Sequence, residues 1–210
     1  MILQRVAQLL LSHNCVFCGT RCSTHLPYIC AGCLDDLPWR AELFTEHEPP
    51  FEVAAALFDY AFPVDAALKA LKFRRRLDYV PAFAVLLARV MRDLPDDIDA
   101  LLPVPLHWRR HAQRGFNQAV ELCAALQSST GLPMLCNIRR RRATPYQSGL
   151  EAEARSANLR AAFAARRSAP SRHVLIMDDV ITTGATCREL AQAALAAGAA
   201  KVSVLAVART

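Results

Sequence analysis

Residues 174–186 read VLIMDDVITTGAT: a hydrophobic run, two adjacent aspartates, then a turn with three threonines around one glycine. Neighbouring carboxylates repel each other and add nothing to packing, so Asp178 and Asp179 require a positive or hydroxyl-rich partner. The apolar run before them spells a buried strand that ends at the acids, and the segment after them opens a helix. A strand-to-helix turn of this kind gathers backbone N–H groups at one spot, where the helix N-terminus also favours negative charge. Gly184 admits a backbone conformation that a side chain forbids. Around it, Thr182, Thr183 and Thr186 add hydroxyl donors, with Ala185 between them. The expected ligand has a phosphate for the turn and a diol or a metal for the acids. An aspartate helix cap explains one acid but not two. The stretch matches neither the GxxxxGK[ST] loop nor the GxGxxG fingerprint.

Two basic segments extend this chemistry. In ALLPVPLHWRRHAQRGFNQ a short strand ends at Pro103, Val104 and Pro105, and a basic loop with Arg109, Arg110 and Arg114 precedes a helix starting near Phe116 or Asn117. Those arginines can crowd a second anionic group. The run of arginines 139 to 142, ending in Arg142, reads as a mobile loop entering a short helix. Its plainer reading is a solvated or nucleic-acid-binding charge run. One phosphate turn and two basic segments suit a ligand bearing phosphate at one end and diphosphate at the other. Lys69 and Lys72, near the end of an earlier helix, read as a solvated face. No Ser-His-Asp or Cys-His arrangement is legible, and Cys187, Cys123 and Cys136 read as packing residues.

The front of the chain carries different chemistry. Cys15 and Cys18 form one C-x-x-C knuckle and Cys30 and Cys33 a second, eleven residues later. Four thiolates at this spacing satisfy tetrahedral Zn²⁺ and leave no open coordination position, so the expected metal is structural. Cys22, His13 and His25 lie close enough in sequence to replace a ligand. An odd local thiol count fits disulfides poorly.

These groups need a scaffold, and the chain is long enough to supply one. A length of 210 residues with 53% apolar and 21% charged residues supports a packed core. Strands are expected in FEVAAALFDYA, ALLPVPL, around 133 to 138, in AAFAARR, VLIMDD and KVSVLAVA, with helices in PVDAALKALKFRRR, YVPAFAVLLARVMRDL and GATCRELAQAALAAGA. Uninterrupted apolar strands alternating with helices indicate an α/β fold with a mostly parallel sheet flanked by helices. Ligands of such sheets sit beyond the carboxyl ends of the strands. Residues 1–50 form a zinc-binding hood, closed by an acidic linker, and residues 51–210 the main domain. Residues 1–60 hold 3 Lys/Arg against 7 Asp/Glu, net −4, and the remainder holds 22 against 12, net +10. A basic body points to a phosphate-rich small molecule or to nucleic acid. No apolar run reaches the roughly 18–20 residues of a membrane span, and MILQRVAQLLLSHNC reads as a short amphipathic helix with no export signal, which makes the cytoplasm the expected location.

The sequence resembles the type I phosphoribosyltransferases and, more closely, the ComF/GntX competence-associated family. The resemblance rests on CVFCG with ICAGC, ALKALKF, PVPLHWRRHAQRGFNQA, RATPYQSGLEAEARSANLRAAF and VLIMDDVITTGAT. It implies a phosphoribosyltransferase-like fold and binding of 5-phosphoribosyl 1-diphosphate with Mg²⁺. It places Asp178 and Asp179 on the ribose hydroxyls and Thr182 through Thr186 on the 5′-phosphate. Pro103 to Arg109 resemble the diphosphate loop, where a non-proline cis peptide is often found, and residues 139 to 147 the loop that closes over substrate. Arg155 and Asn158 match the family pattern. The family is associated with DNA uptake in natural transformation. The implied function is phosphoribosyl transfer to an unidentified nitrogen nucleophile, or a non-catalytic role holding single-stranded DNA or a helicase partner. A homodimer is compatible with either.

Overall fold

The computed structural model describes residues 14–23, 27–41, 44–46, 49–140, 163–165 and 171–210. The helix expected ahead of the cysteines, together with His13, His25, Arg142, Arg155 and Asn158, lies outside the described residues.

In chain order the strands are β1 (Phe44–Glu46), β2 (Val53–Asp59), β3 (Ala100–Pro103), β4 (Ile138–Arg140), β5 (Phe163–Ala165), β6 (His173–Ile181) and β7 (Lys201–Arg209). The helices are α1 (Ala31–Asp35), α2 (Val64–Arg74), α3 (Tyr79–Val90), α4 (Trp108–Arg114), α5 (Gln118–Thr130) and α6 (Ala185–Ala196). One sheet runs in the order β1-β2-β7-β6-β3, parallel throughout except for β1 against β2. A separate antiparallel pair joins β4 to β5.

The alternation of side chains along each strand sorts the core into two layers. Leu175 and Met177 of β6, with Leu205 and Val207 of β7, face a layer built with Leu68 and Leu71 of α2, Phe83 and Leu87 of α3 and Leu122 of α5. Val174 and Ile176, with Val202 and Val204, face the opposite layer, which holds Cys187, Leu190 and Ala191 of α6 and the hairpin residues Ile138 and Phe163. Both faces of the sheet are covered, which is why Val174–Met177 of β6 and Val204–Ala208 of β7 are apolar at consecutive rather than alternate positions.

The knuckle region rests directly on this body. Cys15, Ile29 and Leu37 are buried within the first layer. Trp39 pairs with Phe58 as an isolated antiparallel bridge, their rings 4.7 Å apart, and Arg40 forms an ion pair of 2.6 Å with Asp59. The acidic linker expected before β2 instead supplies the edge strand β1.

Other elements also depart from expectation. The basic segment after β3 is helical: His107 caps α4, its Nδ1 accepting from the N–H of Arg109, and Gly115 ends it at φ 77°. Asn117 then caps α5. The strand expected over 133–138 reduces to a parallel bridge between Met134 and Leu101, and β4 keeps Ile138 and adds Arg139 and Arg140, which the charge run assigned to a loop. Pairing with β5 gives those backbone groups partners, and that outweighs the solvation preference of the arginines.

Candidate functional site

Strand β6 carries Asp178 and Asp179 before its end, for pairing with β7 continues to Ile181. Consecutive strand residues point to opposite faces, so the two acids have different surroundings. Asp179 is 9% exposed and faces α2, where Lys72 Nζ lies 2.9 Å from its Oδ2. That contact is an ion pair without an aligned hydrogen bond, and Oδ1 accepts from the N–H of Val180 at 3.0 Å. Lys72 is therefore the ion-pair partner of Asp179 and not part of a solvated face. Asp178 faces α6. Its Oδ1 accepts from the Asp179 N–H at 2.8 Å, and the Cys187 thiol donates to Oδ2 at 3.7 Å. Burial first, and the neighbouring Asp179 charge second, push Asp178 up to about 8, while Lys72 pulls the other way. Cys187 is buried, and burial followed by the Asp178 charge pushes its thiol far up, which makes it a poor nucleophile.

The turn after β6 presents exposed Thr182 and Thr183, then Gly184, Ala185 and Thr186, all partly accessible. Gly184 caps α6 at φ 71°, a left-handed conformation that disfavours any side chain. Arg188 Nη1 donates to the Thr183 carbonyl at 2.7 Å, bracing the turn from the helix it opens.

Next to it, β3 pairs with β6, and the Val104 N–H extends the ladder to the Met177 carbonyl at 2.9 Å. Asn117 Nδ2 donates to the Val104 carbonyl at 2.9 Å while its Oδ1 accepts from Ala119 N–H, fixing the Pro103–Val104 loop to the start of α5. The helix start expected near Phe116 or Asn117 falls at Asn117, and the hold of its side chain on the Val104 carbonyl is a tertiary contact that no local pattern announces. The cis peptide bonds among the described residues are Pro49–Pro50 and Phe62–Pro63, so the segment from Pro103 to Arg109 is trans.

Arg109, Arg110 and Arg114 project from α4 rather than from a loop. Arg110 and Asp178 both act electrostatically on the partly buried Arg140 of β4, and burial is the largest influence lowering that guanidinium. Buried His107 is held below the usual imidazole range by burial, then by Arg109, Arg140 and Arg110. Asp178, Arg110, His107 and Arg140 thus share one neighbourhood. Arg140, from the run 139 to 142, enters it; Arg142 lies outside the described residues.

A Ser-His-Asp chain does exist. His173 Nδ1 lies 2.6 Å from Asp97 Oδ1 and Nε2 lies 2.9 Å from Ser203 Oγ, while Lys201 Nζ pairs with Asp97 at 3.0 Å. It sits at the amino ends of β6 and β7, and Ser203 is 0% exposed. A nucleophile with no access to solvent does no hydrolysis; the chain ties the base of the sheet together.

The Sγ atoms of Cys15, Cys18, Cys30 and Cys33 all lie within 4.8 Å of one another, and no other group of three or more ligating side chains gathers among the described residues. Tetrahedral Zn–S bonds of about 2.3 Å require sulfurs about 3.8 Å apart, so the quartet fits that ion. All four are free thiols, with Cys18 and Cys30 at 3.6 Å. Cys22 stays outside the quartet, its thiol directed to the Thr20 carbonyl at 3.9 Å.

With this geometry in place, comparison with known proteins gives the lineage. No family model matches the chain. The "DNA utilization protein YhgH" of Shigella flexneri is 36% identical over 206 residues, 93% of this chain and 84% of that protein. "Competence protein F" of Haemophilus influenzae is 31% identical over 92% of this chain and 84% of its own length. The chain belongs to the ComF/GntX competence-associated family. Family members extend to "Competence protein ComFC" of Bacillus subtilis, 28% identical over 91% of this chain and 75% of that protein. Solved structures with a partly similar fold include phosphoribosyltransferases. They include adenine phosphoribosyltransferase from Leishmania tarentolae, 13% identical with a TM-score of 0.45 over 79% of this chain and 94% of that one. Another is the glutamine phosphoribosylpyrophosphate amidotransferase of B. subtilis, 19% identical with a TM-score of 0.40; 60% of this chain aligns with only a quarter of that enzyme. No helix among the described residues is long and apolar enough to cross a membrane.

Proposed function

We propose that this ComF-family chain binds 5-phosphoribosyl 1-diphosphate with Mg²⁺ at the carboxyl end of β6 and β3, and transfers the phosphoribosyl group to a nitrogen nucleophile. The observation that carries the reading is the sequence of groups along one edge: acids on β6, an exposed threonine-glycine turn heading α6, and a proline-bounded loop leading into the arginines of α4. The turn takes the 5′-phosphate through Thr182 to Thr186, and the acids accept from the ribose hydroxyls. Arg109, Arg110 and Arg114, with Arg142 as a further candidate, draw the diphosphate.

Departure of diphosphate leaves an oxocarbenium-like C1, and the protein needs electrostatics rather than a covalent nucleophile to favour that state. Mg²⁺ bound with the substrate phosphates would supply neutralisation of the departing diphosphate, beside the arginines of α4. The four cysteines hold Zn²⁺ and brace the hood on the body. Thermal denaturation tests the binding step: 5-phosphoribosyl 1-diphosphate with Mg²⁺ raises Tm, whereas ribose 5-phosphate alone raises it less. Equal Tm with and without the diphosphate contradicts the reading.

A second reading keeps the family's association with DNA uptake and makes single-stranded DNA a direct ligand. Trp108 and Phe73 are 66% and 72% exposed, with Arg109 and Arg114 stacked over them at 5.3 and 5.5 Å. Exposed rings under guanidinium groups are how sequence-tolerant proteins hold unpaired bases. The two roles use neighbouring surfaces and are compatible.

A further inference from the structure

The two acids differ in one respect that the ribose contact does not explain: Asp179 already has a cation. Lys72 reaches it from the last turns of α2, across the first core layer, to an Oδ2 that no aligned hydrogen bond serves. Its ammonium side chain is 28% exposed and the carboxylate 13%, so both charges are largely withdrawn from water. Removing one partner of such a pair strands the other, which is why a lysine at this place in the helix is more than a solvated side chain.

We infer that Lys72 is the positioning residue of the acid pair: it neutralises Asp179 within the protein, leaving Asp178 as the carboxyl group that exchanges its partners when a ligand arrives. The inference rests on the ribose-binding reading above and assigns unequal work to the two acids. The groups facing the pair are Lys72 from α2, Cys187 and Arg188 from α6, and Arg140 from β4. Among these, the Cys187 thiol at 3.7 Å is a weak donor to Asp178, easily displaced by a sugar hydroxyl. Burial and the Asp179 charge raise the Asp178 carboxyl group, and Lys72 opposes them. A ligand that needs the ionised carboxylate is helped by each group that lowers it, and Lys72 is such a group.

Two measurements on Lys72→Met and Lys72→Arg test this. The first needs no ligand: carbon-13 NMR of the aspartate carboxyl groups in the free protein, each variant first checked for a cooperative melt. Loss of the ammonium in Lys72→Met raises the Asp178 midpoint, and Lys72→Arg keeps it near wild type. The second is calorimetry with 5-phosphoribosyl 1-diphosphate and Mg²⁺ from pH 6 to 9. Wild-type affinity rises with pH until Asp178 is ionised. In Lys72→Met the plateau moves to higher pH and affinity at pH 7 falls about tenfold or more, while the arginine variant restores the wild-type profile. An unchanged Asp178 midpoint in Lys72→Met, or the same loss in both variants, overturns the role of Lys72. A normal midpoint shift with no heat from wild type at any pH retains the charge coupling, removes the ribose-binding reading and, with it, the assignment of Asp178 as the exchanging group.

Discussion

At the scale of single residues, the acid pair trades stability for a ligand. Burial and the Asp179 charge raise Asp178 to about 8. The folded state thus binds more protons than the unfolded chain between the ordinary aspartate value near 4 and about 8. Stability falls as pH rises through that window, because the unfolded chain gives up its proton first. Asp178→Asn has no charge to bury, so its Tm should match wild type near pH 4 and exceed it by several degrees at pH 8. Calorimetric melts at the two pH values check the sign. Gly184→Ala should act oppositely. A left-handed φ costs a side chain about 1–2 kcal/mol, and the added Cβ would lie 3.1 Å from Arg188 Nη1, crowding the brace on the Thr183 carbonyl. Reduced Tm together with weaker phosphate binding is the expected result.

At the scale of elements, the two ends of the sheet do different work. The carboxyl end carries exposed polar turns, and the amino end is closed by Asp97, His173, Ser203 and Lys201. His173→Ala leaves the fully buried Ser203 hydroxyl without its partner and should cost about 1–3 kcal/mol, read by urea denaturation, with little change at the opposite end. The α4 segment supports a separate test. Trp108→Ala should weaken binding of single-stranded DNA by about 1–3 kcal/mol, with a smaller loss of sugar-diphosphate binding through Arg109, which lies over that ring. Equal binding by the variant removes Trp108 from any nucleic-acid surface.

The same elements show what could be read from the chain. Apolar runs such as VLIMDD and KVSVLAVA marked buried parallel strands because both faces of the sheet are covered, and the helices containing ALKALKF and GATCREL were legible as segments rich in Ala and Leu. The quartet of cysteines was legible because metal geometry dictates spacing. Less could be seen where tertiary contacts override local signals. The arginine-rich stretch after β3 looks like a loop until His107 caps it, and Arg139 and Arg140 enter a strand only because β5 is there to pair with them. Lys72 is the sharpest case: helical periodicity says it is near the surface, but nothing local says that Asp179, more than 100 residues later, is its partner.

For the whole molecule, the knuckle region and the body stabilise each other through Cys15, Ile29 and Leu37 in the shared core layer. Chelation, or Cys30→Ser, should therefore lower the Tm of the entire chain rather than release a separate transition, since Cys30 is a cluster ligand and also caps α1. Zinc content by atomic emission should fall from about one equivalent to none in that variant.

The central claim is that one edge of this sheet grips a phosphorylated pentose, and isothermal titration of 5-phosphoribosyl 1-diphosphate into the protein with Mg²⁺ tests it most directly. The account predicts saturable one-to-one binding by wild type and none by the folded double variant Asp178→Asn with Asp179→Asn. The same affinity in both proteins would contradict it.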